Sequence, residues 1–206
     1  LLVALAWLAA APVAVAPPAA VDDQARFVAN VDEARAHLRI SQELYAAGKK
    51  TRFLDGMRVT DRATVRVVHQ ALGEVNARLV AQIRSLGGHA EGLVARHRVI
   101  VAQPHARAAE MGFVGTVSLI HTGPIRMVLT RHAIPVISPV GMDEHQLYNI
   151  NADDVASEVA AHLRAEKLVL LTNVRGILRQ PSDVGSLIST LAVRETKLLL
   201  ERRIVQ

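Results

Sequence analysis

The stretch from Ile134 to Thr172 constrains the fold more than any other part of the chain. "IPVISPV" opens it and "EKLVLLT" closes it, two short apolar runs of the kind that form strands buried on both faces. Between them "NADDVASEVAAHLRA" reads as a helix, with Val155, Val159 and Leu163 on one stripe and Asn151 at the N-cap. Strand, helix and strand within about forty residues make a βαβ unit, whose right-handed crossover implies parallel strands.

The rest of the chain fits an α/β reading. A charged helical pattern runs from Asp22 to Ala47 and ends at Gly48, a C-cap candidate. "TRFLDGMRVTD" is a short extended or turn segment. Thr60 then caps a long helix whose apolar stripe is Val65, Val68, Leu72, Val75, Leu79, Ile83 and Leu86, with Gly87-Gly88 as its stop. "RVIVAQ" and "FVGTVSLI" read as strands, and "TGPIRMVLTRHA" as a helix with Thr122 near its N-cap and Pro124 in its first turn. The tail, "LISTLAVRETKLLLERRIVQ", reads as a polar-faced helix.

Composition narrows the function. With one Trp, two Tyr and three Phe, the core rests on Val, Leu, Ile and Ala, and aromatic platforms for single-stranded nucleic acid are lacking. The formal charge of +5 is carried by scattered arginines, which suits small anionic substrates better than a nucleic-acid stripe. The absence of cysteine removes disulfides and thiolate chemistry. Nine histidines show no metal-ligand spacing, and Ser138 before Pro139 lacks the G-x-S-x-G turn of a nucleophile elbow. No metal-ligand set in the chain and no nucleic-acid or membrane partner is expected.

The N-terminal run "LLVALAWLAAAPVAVAPPAA" has the h-region and small-residue tail of a secretory signal but no positive n-region. Pro12, Pro17 and Pro18 argue against a spanning helix. The preferred reading is a fragment, or a start misassigned, so that the run says little about targeting. The expected division is an apolar segment over 1–21 and one α/β domain over 22–206.

In an open parallel sheet ligands sit beyond the carboxyl ends of the strands. "LYNINADD" and "TNVRG" lie at such ends, so two polar loops are expected to face one crevice. A helix N-terminus beginning at Asn151 would seat a carboxylate or phosphate. Asn149 precedes the cap and is as well suited to ligand contact as to a loop role. For Asp153 and Asp154 the simpler reading is complementing the helix dipole. Gly176 permits a tight turn and close backbone approach, which an ordinary strand-to-helix turn would also use.

Together "DGMRVTD", "MGFVGTVSLI…AIPVISPV", "LYNINADD" and "VASEVAAHLRAEKLVLLTNVRGIL" resemble the amino-acid kinase family, and within it most nearly the N-acetylglutamate kinases of arginine biosynthesis. Four ordered blocks carry the resemblance, from about Ile40 to Leu178. It implies a three-layer αβα sandwich with a mainly parallel central sheet, a homodimer, and a cytoplasmic enzyme. The implied reaction moves the γ-phosphoryl of ATP, with Mg2+, onto the side-chain carboxylate of N-acetylglutamate. It assigns Arg58 and Asn149 to the substrate and Asp153 to organising active-site lysines. Asn173, Val174, Arg175, Gly176, Ile177 and Leu178 fall to the nucleotide. Arginine suits a carboxylate through its bidentate fork, and phosphoryl transfer depends mostly on positioning and charge neutralisation.

These residues depart from the family pattern in several places. There is no K-x-G-G turn and no H-G-G-G segment, no glycine precedes Gly48, and no G-G-M segment follows Leu178. Asn173 stands where the family usually has Asp, and "GLVARH" replaces a G-L-S-G-K-D run. Two expectations of different class follow: a phosphotransferase, or a non-catalytic module that keeps the acyl-amino-acid or arginine pocket without transferring phosphate. A decayed gene product is the third reading.

Overall fold

The computed structural model describes residues 4–7, 39–54, 57–171, 176–180 and 182–201. The helix expected from Asp22 enters this description only at residues 39–46, named α1. It ends as expected at Gly48, whose φ is +70°, with the Lys49 N–H returning to the Leu44 carbonyl at 2.8 Å. Two short strands follow, β2 (Phe53–Leu54) and β3 (Met57–Arg58), paired antiparallel; β1 is Ala4–Trp7.

The long helix α2 runs from Arg62 to Ser85, and its cap is Asp61 instead of Thr60. Asp61 Oδ1 accepts the Thr64 N–H at 2.7 Å. Thr60 cannot cap, because it is fully buried and bridged to Gly112 in a strand-like pairing. At the far end Gly87, with φ +84°, and Gly88 return their N–H groups to Arg84 and Ile83, which stops the helix where the glycine pair predicts. Val65, Val68 and Val75 of the expected stripe are buried, whereas Leu86 is 82% exposed. Val68 and Ala71 close a small core with Ile40 and Leu44 of α1.

The remaining strands are β4 (Ala90–Leu93), β5 (Ile100–Pro104), β6 (Gly115–Ile120), β7 (Ile134–Ile137), β8 (Val140–Met142), β9 (Leu147–Asn149) and β10 (Lys167–Leu170). The helices among them are α3 (Ala108–Met111), α4 (Thr122–Thr130) and α5 (Ala152–Leu163). The expected mainly parallel sheet holds only in part. Among the described residues β4–β7 and β5–β8 are parallel, while β1–β10, β2–β3, β5–β6 and β8–β9 are antiparallel. The molecule is a mixed α/β fold, with one four-stranded sheet in the order β6-β5-β8-β9 and β4-β7 as a separate pair.

"IPVISPV" is thus two strands in two sheets, parted at Ser138-Pro139, a residue pair that favours a turn. "EKLVLLT" pairs antiparallel with β1, so the expected parallel βαβ unit does not close. Neither run is buried on both faces: Ile134, Val169 and Leu170 are each 40% exposed or more. The α5 stripe behaves as read. Val155, Val159 and Leu163 are buried in one cluster with Ile125 and Val128 of α4 and with Ile100, Ala102 and Ile120 of the sheet. Each valine, leucine or isoleucine among them contributes roughly 1.5–3 kcal/mol of apolar transfer free energy when fully buried.

Contacts divide the chain into two compact units, residues 1–170 and 171–206. In the second, Leu178 bridges Leu187 antiparallel around a 3-10 turn at Val184–Ser186, and α6 follows at Val193–Glu201. Among the described residues no helix is long and apolar enough to cross a membrane.

Candidate functional site

Arg58 and Asn149 are each the last residue of their strand, β3 and β9, and each stands just ahead of a helix cap. Asp61 caps α2 and Asn151 caps α5, so two helix N-termini follow directly on the two site strands. Of the two polar loops expected to face one crevice, "LYNINADD" lies at the end of β9, and all of "TNVRG" but Gly176 lies outside the described residues.

What joins them is the segment 112–114, threaded between the two. Thr60 N–H donates to the Met111 carbonyl at 2.9 Å and Phe113 N–H to the Thr60 carbonyl at 2.6 Å. On the other side Asn149 N–H donates to the Phe113 carbonyl at 3.0 Å. Gly112 makes the threading possible: its φ is +70°, and a Cβ there would overlap the Thr60 carbonyl oxygen. Across this seam the Asn149 Nδ2 reaches the Thr60 hydroxyl at 3.4 Å, closing a contact 89 residues apart in sequence.

Arg58 is 7% exposed, which is unusual for arginine. Its Nη1 donates to the Thr51 hydroxyl at 3.3 Å, and the guanidinium lies 4.8 Å from the centre of the Phe53 ring. Burial pushes its pKa below the ordinary arginine value, yet it stays cationic. A planar cation held between a hydroxyl and an aromatic face is pre-oriented for a carboxylate.

Asn151 is the cap foreseen, its Oδ1 accepting the Asp153 N–H at 2.8 Å. Asp153 itself is exposed in the first turn of α5, and among the described residues its carboxylate holds no hydrogen bond or ion pair. The Asn149 amide is linked through the Thr60 hydroxyl to the backbone carbonyl of Arg58, while Asp153 stands on the surface of α5. Of the expected nucleotide residues, Asn173, Val174 and Arg175 lie outside the described residues. Gly176 has φ +130° and is exposed, and Ile177 accepts the Ile188 N–H at 2.8 Å within the second unit.

Three contributors escaped the sequence reading: Thr60, taken as a cap, Phe53, and Gly112. The alternation of Arg58 and Thr60 in R-V-T was the available signal, since strand residues two apart share a face. A further cation, Lys49, is committed elsewhere: its ammonium bonds the Asp61 carboxylate and, with the Thr64 N–H, holds that carboxyl at a pKa of about 2.

Comparison with known proteins gives the family. A protein named Acetylglutamate kinase from Desulforamulus reducens is 39% identical over 171 residues, covering 81% of this chain and 60% of that protein. One of the same name from a Synechococcus strain is 46% identical over 157 residues, covering 75% and 50%. The chain thus spans less than two thirds of these relatives. Among solved structures, smu.665 from Streptococcus mutans superposes with a TM-score of 0.71 at 26% identity, over 82% of this chain and 68% of that one. An N-acetylglutamate synthase from Neisseria gonorrhoeae, complexed with coenzyme A and N-acetyl-glutamate, gives 0.66 at 26%, over 81% and 38%. The sequence model of the amino acid kinase family matches residues 24–203. The chain belongs to the amino acid kinase family.

Proposed function

We propose that this chain is of the acetylglutamate kinase type, a phosphotransferase. In the reaction, a carboxylate oxygen of N-acetylglutamate attacks the γ-phosphorus of ATP, the bond to the β-phosphate oxygen breaks, and an acyl phosphate and ADP result. Arg58 clamps the substrate carboxylate that does not react. Asn149 hydrogen-bonds the acylated amine end. The segment 173–178 takes the nucleotide, with Mg2+ riding on its phosphates, and Asp153 orients cations that approach the α5 N-terminus. The setting is the cytoplasm, and the assembly a homodimer.

The observation that supports this reading is the hydrogen-bond chain from the Asn149 amide through the Thr60 hydroxyl to the backbone carbonyl of Arg58, whose own side chain is buried. A guanidinium on β3 and an amide at the end of β9 are the groups that suit a carboxylate and an N-acyl group. A second reading is favoured by Lys49. Its ammonium is bound to the α2 cap, which suits a module that binds the acyl amino acid without transferring phosphate.

Calorimetry with N-acetylglutamate and with ATP, beside a hydroxylamine trap for acyl phosphate, separates the two. Turnover establishes the kinase, and binding of the amino acid without turnover establishes the module. Loss of binding in Arg58→Ala is expected under both; unchanged affinity in that variant sinks the pocket.

A further inference from the structure

The Thr60 hydroxyl has one hydrogen and serves two neighbours. It donates to the Arg58 backbone carbonyl at 2.7 Å. With that hydrogen spent, the oxygen can only accept from Asn149, whose Nδ2 lies 3.4 Å away. The Asn149 amide is therefore not free to turn. Its NH2 group faces the buried threonine, and its carbonyl oxygen Oδ1 is directed away from it. The backbone of Asn149 is fixed as well, through its N–H to the Phe113 carbonyl at 3.0 Å. Gly112, bridged to Thr60, lets the two backbones approach where a Cβ would overlap the Thr60 carbonyl.

We propose that Thr60 is a positioning residue: it locks Asn149 with Oδ1 presented to the ligand as an acceptor, so the site selects an acidic ligand bearing an N–H donor. This rests on the carboxylate-pocket reading of Arg58 and deepens it. The chemical class is an N-acylated amino dicarboxylate. An ester of the same shape would set an oxygen against Oδ1, leaving two acceptors face to face. A site built to hydrogen-bond a donor rejects the analogue that lacks it, because its own polar group is left unpaired.

Two measurements test the lock. In the ligand-free chain, the Asn149 side-chain NH2 resonances, assigned by their loss in Asn149→Ala, should move in Thr60→Val and stay near their wild-type positions in Thr60→Ser. Resonances unmoved in a folded Thr60→Val overturn the proposal. By calorimetry the wild type should bind N-acetylglutamate at least about tenfold more tightly than its ester analogue 2-acetoxyglutarate, the worth of one hydrogen bond. Thr60→Val should lose that preference and Thr60→Ser should keep it. Equal wild-type affinity for amide and ester overturns the proposal without needing any variant to fold. A wild type that binds neither ligand, while its Asn149 signals still respond to Thr60→Val, overturns the pocket reading and the ligand selection but upholds the lock itself.

Discussion

Asn76 of α2 donates from Nδ2 to the Val136 carbonyl at 2.7 Å, and passes directly over Gly92 to do so. A Cβ on Gly92 would overlap Asn76 Oδ1. The amide is 5% exposed, so one glycine lets a buried polar side chain pin the long helix to the β4–β7 pair. Gly92→Ala is expected to destabilise the fold by about 1–3 kcal/mol, the cost of overpacking together with a displaced buried hydrogen bond. Combining it with Asn76→Ala should cost less than the sum of the two single changes, since they share the same contact. Urea unfolding midpoints of the three variants check this.

Gly112→Ala meets two obstacles at once: a positive φ and the Thr60 carbonyl. About 2–4 kcal/mol of destabilisation is expected from backbone strain plus overlap. Any folded fraction should also bind N-acetylglutamate more weakly, because Thr60 and Asn149 are no longer held in register. Thermal unfolding gives the first effect and calorimetry on the folded protein the second.

The Asp61 carboxyl, held at about 2 chiefly by the Lys49 ammonium and then by Thr64, sits below its unfolded value near 3.8. A depressed carboxylate stabilises the fold above its unfolded pKa, and that contribution is lost as pH falls from about 4 to about 2. The pair is solvent-exposed, so the loss should be under about 1 kcal/mol. Asp61→Asn keeps the cap but not the titration, and should flatten this part of the stability–pH curve. Asp61→Ala should cost about 1 kcal/mol at neutral pH through the lost cap. Denaturant midpoints taken between pH 2 and 6 distinguish the two, and an unchanged slope in Asp61→Asn would assign the acid sensitivity elsewhere.

Phe53 lies beneath the Arg58 guanidinium at 4.8 Å. Replacing the ring with leucine keeps bulk but removes the π face, and about a two- to fivefold weaker affinity for N-acetylglutamate is expected. Arg58→Lys should not rescue binding, since a point charge cannot reproduce the planar fork. Titration calorimetry reads both, and wild-type affinity in Arg58→Lys would show that charge alone is used.

Much of this protein is set by neighbours in the chain. The stops at Gly48 and Gly87-Gly88, the Asn151 cap and the buried α5 stripe were all legible, because their hydrogen bonds close within a few residues and need no distant partner. Asn149 was legible as a polar residue at a strand end, whereas Arg58 stood out only through its family block, and its burial was not legible. Tertiary structure decided the rest. Thr60 and Asp61 are comparable caps by local chemistry, and Asp61 takes the role only because the Gly112 strand arrives and buries Thr60. The split of "IPVISPV" and the antiparallel course of β10 depend on which strand edge a remote segment offers. No local period records that choice, since a strand alternates its faces alike in either direction of pairing. The meeting of Thr60 and Asn149 is of the same kind: the residue types are written locally, while their contact forms across residues 112–114, which hydrogen-bond to both.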